Sequence, residues 1–355
     1  MSTASSTTVN RRIVLARRPQ GEPTADDFRI EEVAAAVPSA QELGLETVYL
    51  SLDPYMRGRL SDAPSYDPPV AIGDVIVGAT VSRVTHPATG NDLTVGDLVV
   101  ARTGWQTHAV ARPGDVRRVP PSSDLPASTA LGVLGMPGFT AYSGLLNIGQ
   151  PQPGETVVVA AATGPVGSAV GQIARLHGAR AVAVAGGSYK QRYATTRFGF
   201  DAAVDHRSPT FPADLAAACP DGIDVYFENV GGPVADAVLP LLNQHARIPL
   251  CGLVSQYNSD EIARPGPDRL PFFMSQLLAK SITVQGFLQR QYFAEQFDTF
   301  TEQMAGWIKT GEVAFAEAVT DGLDNAPEAF TRMLVGDNLG KTVIRVRHPD
   351  TGELL

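Results

Sequence analysis

The chain has 355 residues, of which 44% are hydrophobic, and its formal net charge at pH 7 is −9. This length suggests two domains, and the acidic balance excludes nucleic acid as the main partner, because phosphate binding needs a basic face. The only cysteines, Cys219 and Cys251, form no disulfide framework. The N-terminal segment lacks the apolar core of a secretory signal, and no apolar run is long enough to span a membrane. These features predict a cytoplasmic protein.

The first part of the chain consists of short apolar segments separated by proline and glycine. The predicted strands are residues 12–18, 28–34, 46–51, 72–84, 97–101 and 105–111. Many short strands with little helix predict a small β-rich domain. Two predicted helices, residues 129–134 and 140–146, lead into the rest of the chain.

A strand, a turn, a helix and a second strand follow one another from residue 156. Residues 156–161 form a continuous and largely β-branched run, which is typical of a fully buried strand. Apolar residues then recur at helical spacing over residues 165–177, and a glycine ends the helix. Residues 181–185 form a second buried strand. This order of elements is typical of a dinucleotide-binding unit.

The turn between the first strand and the helix supports the same interpretation. Gly164 allows a pyrophosphate to approach the backbone, and Gly167 allows the helix to pack against the strand. Free N–H groups at the helix start, next to Thr163 and Val166, favour an anion. Ala162 replaces the first glycine of the usual G-x-G-x-x-G pattern, but the surrounding strand and helix favour nucleotide binding.

The end of the second strand indicates which nucleotide binds. An NAD site usually has Asp or Glu there, which holds the ribose 2′-hydroxyl. This chain has Gly186, Gly187, Ser188, Tyr189 and Lys190 instead. A lysine can pair with a 2′-phosphate, whereas the alternative is a solvated surface lysine. Because the chain has only four lysines, this position favours NADPH.

Helices and strands continue to alternate after this point. The predicted strands are residues 202–205, 224–229, 247–251 and 281–287, and the predicted helices are residues 211–218, 234–242, 272–279 and 292–309. This pattern predicts a doubly wound parallel sheet with helices on both faces. A strong strand at residues 340–346 is placed to return to the first domain.

Several longer motifs resemble one family. They are residues 51–58 (SLDPYMRG), 161–171, 219–232 (CPDGIDVYFENVGG), 251–258 (CGLVSQYN) and 317–341. Together they resemble the zinc-independent medium-chain dehydrogenases/reductases. This group includes the leukotriene B4 12-hydroxydehydrogenase/prostaglandin reductases, the plant double-bond reductases and the bacterial curcumin reductases. The resemblance covers nearly the whole chain after residue 10.

The resemblance implies an α/β fold of two domains. A GroES-like β-rich catalytic domain would comprise residues 1–136 and 315–355, and a Rossmann domain would comprise residues 137–314. The family binds NADPH in the cleft between its domains and is usually homodimeric. Its reaction is the reduction of a carbon–carbon double bond that is conjugated to a carbonyl.

The resemblance also implies particular cofactor contacts. Ser188 and Lys190 resemble the residues that bind the 2′-phosphate of NADPH. Thr140, Tyr257, Phe287 and Asn338 resemble the surroundings of the nicotinamide and its ribose. The other expected cofactor contacts are Thr163, Gly164, Val166, Gly167, Gly187, His206, Asn229 and Cys251.

The chain departs from its relatives at one part of this site. Many relatives carry tyrosine in an Asp-Tyr-Lys run where this chain has Asp205, His206 and Arg207. A cationic Arg207 or a protonated His206 is expected to contact the 2′-phosphate instead.

Nothing in the sequence matches a zinc site. Zinc-dependent relatives carry a Gly-His-Glu run, but residues 72–75 read Ile-Gly-Asp-Val here. Two distant cysteines cannot form a four-thiolate site, and the six histidines show no ligand spacing. The sequence therefore predicts catalysis without a metal.

Conjugate reduction suits a metal-free site, because hydride addition at the β-carbon produces an enolate rather than an alkoxide. The protein then has to orient the substrate and stabilise the enolate oxygen. Tyr257 follows a strand at its carboxyl end, and Tyr55 is a second candidate catalytic residue, although either tyrosine could instead be a core residue. The predicted activity is an NADPH-dependent alkenal/enone reductase. The alternatives are a quinone reductase and a non-catalytic NADPH-binding protein.

Overall fold

The computed structural model describes residues 8–120, 125–259 and 269–355. These residues form two compact units. One unit comprises the described residues of Met1–Leu131, Glu317–Asn338 and Thr342–Leu355, and the other those of Gly132–Ala316 and Leu339–Lys341. Among the described residues, no helix has the length and apolar character needed to cross a membrane.

Strands dominate the first third of the chain and alternate with helices after it. The strands are β1 (Val9–Leu15), β2 (Phe28–Ala34), β3 (Leu43–Ser51), β4 (Thr80–His86), β5 (Leu98–Ala101), β6 (His108–Ala111), β7 (Arg117–Arg118), β8 (Thr156–Ala160), β9 (Arg180–Val184), β10 (Ala202–Val204), β11 (Ile223–Phe227), β12 (Leu242–Leu250), β13 (Thr283–Gly286), β14 (Glu317–Asp321) and β15 (Lys341–Arg345). The α-helices are α1 (Tyr55–Arg59), α2 (Met136–Gly144), α3 (Pro165–Leu176), α4 (Ser188–Arg197), α5 (Phe211–Ala218), α6 (Gly232–Val238), α7 (Leu270–Lys280), α8 (Phe293–Thr310) and α9 (Ala326–Leu334).

The first unit contains a seven-stranded sheet in the order β14-β15-β3-β4-β5-β7, with β6 also paired to β3. The central strand β3 pairs antiparallel with β4, β6 and β15, so the C-terminal strand returns to this unit as the sequence predicts. Trp105 is fully buried in the adjacent core, stacked on Phe28 at 5.7 Å and edge-on to Phe330 of α9 at 5.6 Å.

Three predicted elements around these strands are wrong in extent. Residues 72–79 are not part of β4, because Gly73 turns the backbone at φ +91° and Val75 forms only an isolated bridge with Val14. The segment predicted as a helix over residues 129–134 is a 3₁₀ turn, Ala127–Leu131. The helix predicted over residues 140–146 begins earlier, at Met136, and ends in a π turn.

The second unit is built on a six-stranded parallel sheet in the order β10-β9-β8-β11-β12-β13. The strand order reverses at β8, which gives the 3-2-1-4-5-6 order of dinucleotide-binding sheets. Helices cover both faces, with α2, α3 and α8 packed on one face and α5 and α6 on the other. Alternate residues of β8 point to opposite faces of the sheet. Val157 and Val159 therefore pack in the core beneath α2, α3 and α8, and Val158 packs in the core beneath α5 and α6. The predicted doubly wound sheet is confirmed.

Gly167 fits where a side chain would not. A Cβ at this position would lie 2.5 Å from the carbonyl oxygen of Ala161, which belongs to the backbone and cannot move aside easily. We expect Gly167→Ala to destabilise the protein by about 1–3 kcal/mol and to lower its melting temperature by a few degrees. Gly306→Ala is the matched control, because Gly306 lies in α8 with no atom within 4 Å of its Cβ position. The control should stabilise the helix by about 1 kcal/mol, and equal effects of both changes would contradict the packing role of Gly167.

Candidate active site

Each strand of the parallel sheet is followed by residues that the sequence predicts to contact the cofactor. In the order of the sheet, His206 follows β10; Gly187, Ser188 and Lys190 follow β9; Thr163, Gly164, Val166 and Gly167 follow β8; Asn229 follows β11; Cys251 and Tyr257 follow β12; and Phe287 follows β13. Because parallel strands end on the same edge of a sheet, these residues line one edge of the unit. Open α/β sheets bind their ligands at this edge, next to the strand where the order reverses.

The turn after β8 is shaped for an anion. Ala161 adopts φ +49°, and Gly164 is the N-cap of α3, with its N–H donated to the carbonyl of Ala161 at 2.8 Å. The amino end of the twelve-residue helix α3 therefore meets the carboxyl end of the central strand. Thr163 is buried, and its carbonyl accepts the N–H of Gly340 at 2.8 Å. The dipole and the unpaired N–H groups of a helix start favour a phosphate in this position.

Lys190, His206 and Arg207 lie together beside the end of β9. A Cβ at Gly186 would lie 2.7 Å from Nε of Arg207 and 2.9 Å from Nε2 of His206, so both side chains cover the backbone at this glycine. Burial lowers the pKa of His206, and the positive charges of Arg207 and Lys190 lower it further, while Asp205 opposes them. Lys190 and Arg207 are therefore the cations of a patch at the predicted 2′-phosphate position, and the lowered pKa of His206, its third member, favours the neutral imidazole in the free protein.

Asp205 is an acidic residue beside this patch, and its carboxylate accepts backbone N–H groups. It accepts the N–H of Arg207 at 2.9 Å and also the N–H of Gly187. Burial opposes ionisation of Asp205, but these hydrogen bonds outweigh it and lower the pKa. Gly186 is not among the site residues that the sequence predicts. The pair of glycines directly after a buried strand is the sequence feature that indicates a close approach to the backbone at this position.

The loops after β11 and β12 lie against each other. The carbonyl of Asn229 accepts the N–H of Val254 at 3.3 Å, and the carbonyl of Val230 accepts the N–H of Ser255 at 3.0 Å. The side-chain oxygen of Asn229 is buried and has no hydrogen-bond partner among residues 8–120, 125–259 and 269–355. Since buried polar atoms are nearly always paired, this oxygen is a candidate acceptor for a hydrogen bond from a ligand.

Tyr257 carries a neutral hydroxyl at this edge. It caps the short 3₁₀ turn Val254–Gln256, and its hydroxyl oxygen accepts the N–H of Leu253 at 3.4 Å. Burial raises the pKa of Tyr257 despite that N–H, so the phenol stays protonated and retains a proton to donate. Burial likewise raises the pKa of Cys251, which makes its thiol a poor nucleophile.

At two predicted cofactor contacts, Thr140 and Phe287, the side chain interacts with other parts of the protein. The hydroxyl of Thr140 donates to the carbonyl of Met136 one helical turn earlier, at 2.8 Å. The ring of Phe287 is buried in the core beside Phe227, with ring centres 6.2 Å apart. The backbone N–H of Phe287 donates to Leu250, so only the main chain of this residue lies at the strand end. Both cofactor contacts stay predictions.

Comparison with known proteins identifies the family. A family model described as the N-terminal domain of oxidoreductase matches residues 11–119, and one described as zinc-binding dehydrogenase matches residues 165–307. The chain is 54% identical to the NADPH-dependent curcumin reductase of Escherichia coli (strain K12), over 96% of this chain and 98% of that protein. It is 37% identical to the 2-alkenal reductase (NADP(+)-dependent) of Nicotiana tabacum, over 95% and 97% of the two chains. The crystal structure of CurA from Vibrio vulnificus in complex with NADPH shares 49% identity and a TM-score of 0.92, over 96% of this chain and 100% of that chain. This chain is a zinc-independent medium-chain dehydrogenase/reductase.

The two units are thus the GroES-like and Rossmann domains of this reductase family, and the predicted fold class is confirmed. One matching family model is described as zinc-binding. Among the described residues, however, no group of three or more His, Cys, Asp or Glu side chains is close enough to hold a metal ion. Catalysis without a metal stays a prediction for this reductase.

Two predicted site residues belong to the GroES-like unit. Tyr55 begins α1 and is partly buried against the core of that unit; burial, and next the charge of Asp53, raise its pKa. Asn338 donates to the hydroxyl of Thr342 at 3.2 Å, and both residues line a cavity of about 160 Å³. The roles of Tyr55 and Asn338 toward a ligand stay predictions.

The charge of Lys190 can be tested by comparing two cofactors. A charge-assisted hydrogen bond contributes roughly 1.5–3 kcal/mol, which corresponds to about ten- to a hundredfold in affinity. We expect Lys190→Ala to weaken NADPH binding by this factor and to leave NADH binding nearly unchanged, as measured by cofactor fluorescence. Lys309→Ala, which removes a lysine from the last turn of α8, is the control and should change neither affinity. An equal loss for both cofactors in Lys190→Ala would show that Lys190 is structural.

His206 should make the preference for NADPH depend on pH. Its pKa is lowered in the free protein, and a bound 2′-phosphate raises it, so the complex binds more protons than the free protein does. Affinity for NADPH relative to NADH should therefore rise as the pH falls from about 8 to about 7, where the phosphate itself is mostly a dianion. In His206→Asn the ratio should vary less over the same range. Identical pH profiles of the two proteins would exclude His206 from the phosphate contact.

Proposed function

We propose that this reductase uses NADPH to reduce the carbon–carbon double bond of α,β-unsaturated aldehydes or ketones, without a metal. The chain is an NADPH-dependent oxidoreductase that acts on carbon–carbon double bonds. The observation that carries the substrate class is the full-length similarity to a curcumin reductase and to a 2-alkenal reductase. A double bond conjugated to a carbonyl is the chemistry that best fits a neutral phenol at the cofactor edge.

The residues at this edge fit NADPH. The patch formed by Lys190, His206 and Arg207 would hold the 2′-phosphate, with Ser188 as an additional donor. The start of α3, behind Gly164, would hold the pyrophosphate. The unpaired side-chain oxygen of Asn229 would accept a hydrogen bond from the bound cofactor.

When bound, NADPH supplies the hydride for the reduction. Addition of hydride to the β-carbon moves the π electrons toward the carbonyl and leaves negative charge on the carbonyl oxygen. The phenol of Tyr257 would donate a hydrogen bond to that oxygen, because burial keeps the hydroxyl protonated. The α-carbon then takes a proton, from this phenol or from water, which completes the saturated carbonyl product. Tyr55 stays a second candidate catalytic residue.

Turnover of two substrate classes tests the proposal. The purified protein should reduce an enal or enone with NADPH in the presence of a chelator, with a much higher kcat/KM than for a quinone. A preference for the quinone would favour the alternative reductase activity. Turnover of neither compound would support a non-catalytic NADPH-binding protein, and loss of activity on chelation would contradict the metal-free mechanism.

Tyr257→Phe removes one hydroxyl and keeps the ring. Loss of one preorganised donor to an oxyanion typically costs about 2.7–4 kcal/mol, on the order of a hundred- to a thousandfold in turnover. We expect kcat for an enone to fall by this factor while the Kd for NADPH changes little. Unchanged turnover would assign the role to a ribose hydroxyl or to water. A large loss of NADPH affinity would make Tyr257 a cofactor contact only.

We further propose a homodimer that forms through α7 and β13. Helix α7 exposes apolar side chains, among them Met274 at 54% and Leu278 at 85% exposure. Among the described strands, β13 pairs only with β12, so its outer side is an open edge. An exposed apolar helix beside an open edge is suited to a second copy of the same surface, related by a twofold axis.

A charge on this helix should separate the subunits. Leu278→Glu places a carboxylate in the apolar surface, and we expect it to shift the protein toward monomer in size-exclusion chromatography with light scattering. Val37→Glu is the control, because Val37 is 90% exposed and belongs to the GroES-like unit. A dimer that survives Leu278→Glu, or a wild-type protein that is monomeric, would overturn the proposed interface.

A further inference from the structure

Glu228 is a buried acid at the carboxyl end of β11, and the proposed reaction gives it no direct role. It follows β11 directly and is 5% exposed, and burial raises its pKa. One carboxylate oxygen accepts two backbone N–H groups, from Val230 at 2.8 Å and from Gly231 at 2.7 Å. The acid therefore fixes the tight turn between β11 and α6, in which Gly231 has φ +74°. Burying a carboxyl is costly unless it is hydrogen-bonded, and the two N–H groups offset part of that cost.

The turn held by Glu228 carries hydrogen bonds onward to the loop of Tyr257. Its Val230 carbonyl accepts both the N–H of Ser255 at 3.0 Å and the hydroxyl of Ser255 at 2.6 Å. In the same loop, Gly252 lies close to the hydroxyl of Tyr257, since a Cβ at this glycine would be 3.2 Å from that hydroxyl. The chain of contacts thus runs from Glu228 through Val230 and Ser255 to the segment that carries Tyr257.

The same turn also presents Asn229. This residue lies between Glu228 and the two N–H groups that Glu228 accepts, so its backbone has little freedom. Its unpaired side-chain oxygen is held at the cofactor edge by this constraint. A shift of the turn would move Asn229 and the Tyr257 loop together.

We propose that Glu228 is a positioning residue, which orients Asn229 toward the cofactor and Tyr257 toward the substrate by fixing the turn after β11. This inference rests on the proposed function, since it assigns Asn229 and Tyr257 their roles. Glu228 contacts neither ligand in this account and acts only through the backbone N–H groups that it accepts.

The test compares Glu228→Ala with Glu228→Gln. Alanine leaves both N–H groups without an acceptor, whereas the glutamine carbonyl can still accept them. We expect Glu228→Ala to weaken NADPH binding by about tenfold or more. Glu228→Gln should bind NADPH within a small factor of wild type.

Asp224→Ala provides the matched control on the same strand. Asp224 accepts the N–H of Thr156 at 2.8 Å and the side chain of Asn243 at 2.8 Å, near the amino end of β11. It has comparable hydrogen bonds but lies at the opposite edge of the sheet. Asp224→Ala should lower the melting temperature and leave the Kd for NADPH unchanged.

A double-mutant cycle with Tyr257→Phe separates positioning from general stability. If Glu228 positions Tyr257, the loss of kcat caused by Tyr257→Phe should shrink to less than about tenfold in the Glu228→Ala background. In the Asp224→Ala background the loss should stay at its full size. Additive effects in both backgrounds, or an NADPH affinity of Glu228→Ala equal to that of Asp224→Ala, would overturn the proposal. If Tyr257→Phe has no effect in the wild-type protein, the catalytic role of Tyr257 fails, and the NADPH affinities of the two Glu228 variants still decide the role of Glu228.

Discussion

The structure depends on the parallel ladder that brings the carboxyl ends of six strands to one edge. The backbone continues this ladder beyond the strands, since Ala162 donates to Val184, Ala185 to Val204 and Cys251 to Glu228. Residues far apart in sequence are thereby held by backbone hydrogen bonds rather than by side chains. Functional side chains in the loops after these strands can therefore come close together even where the loops are short.

The charge at this edge runs against the charge of the whole chain. The protein carries a net charge of −9, yet Lys190, His206 and Arg207 lie together beside Gly186. Asp205 offsets part of this positive charge, and its carboxylate accepts two backbone N–H groups. A 2′-phosphate predicted to bind here would meet the cations Lys190 and Arg207. The charge of the whole chain would oppose this contact less than the near cations favour it, because screening limits distant charges more than near ones.

Local signals in the sequence predicted the central unit well. The apolar period of α3, its proline at the start and a glycine just past its end defined that helix almost to the residue. Contacts between loops could not be predicted from the sequence, because nothing in residues 186 or 207 alone indicates that the side chain of Arg207 covers Gly186. Side-chain direction was also beyond reach, as Phe287 shows: its position at a strand end was predictable, but its burial beside Phe227 depends on α2 and β11. Residues 72–79 were mistaken for a strand because apolar content does not reveal a turn at Gly73.

Three ionisable groups among the described residues after β11 and β12 share one property, which is that burial disfavours their charged forms. Glu228, Cys251 and Tyr257 all have raised pKa values for this reason. A site that stabilises developing negative charge has to avoid placing fixed negative charge beside it, because the repulsion is strong where water is excluded. A neutral phenol next to a neutral thiol meets this requirement, and a carboxyl tied to two N–H groups has its remaining charge partly compensated. The proposed conjugate reduction needs hydrogen-bond donors without competing anions, and burial of the phenol and the thiol favours their neutral forms further.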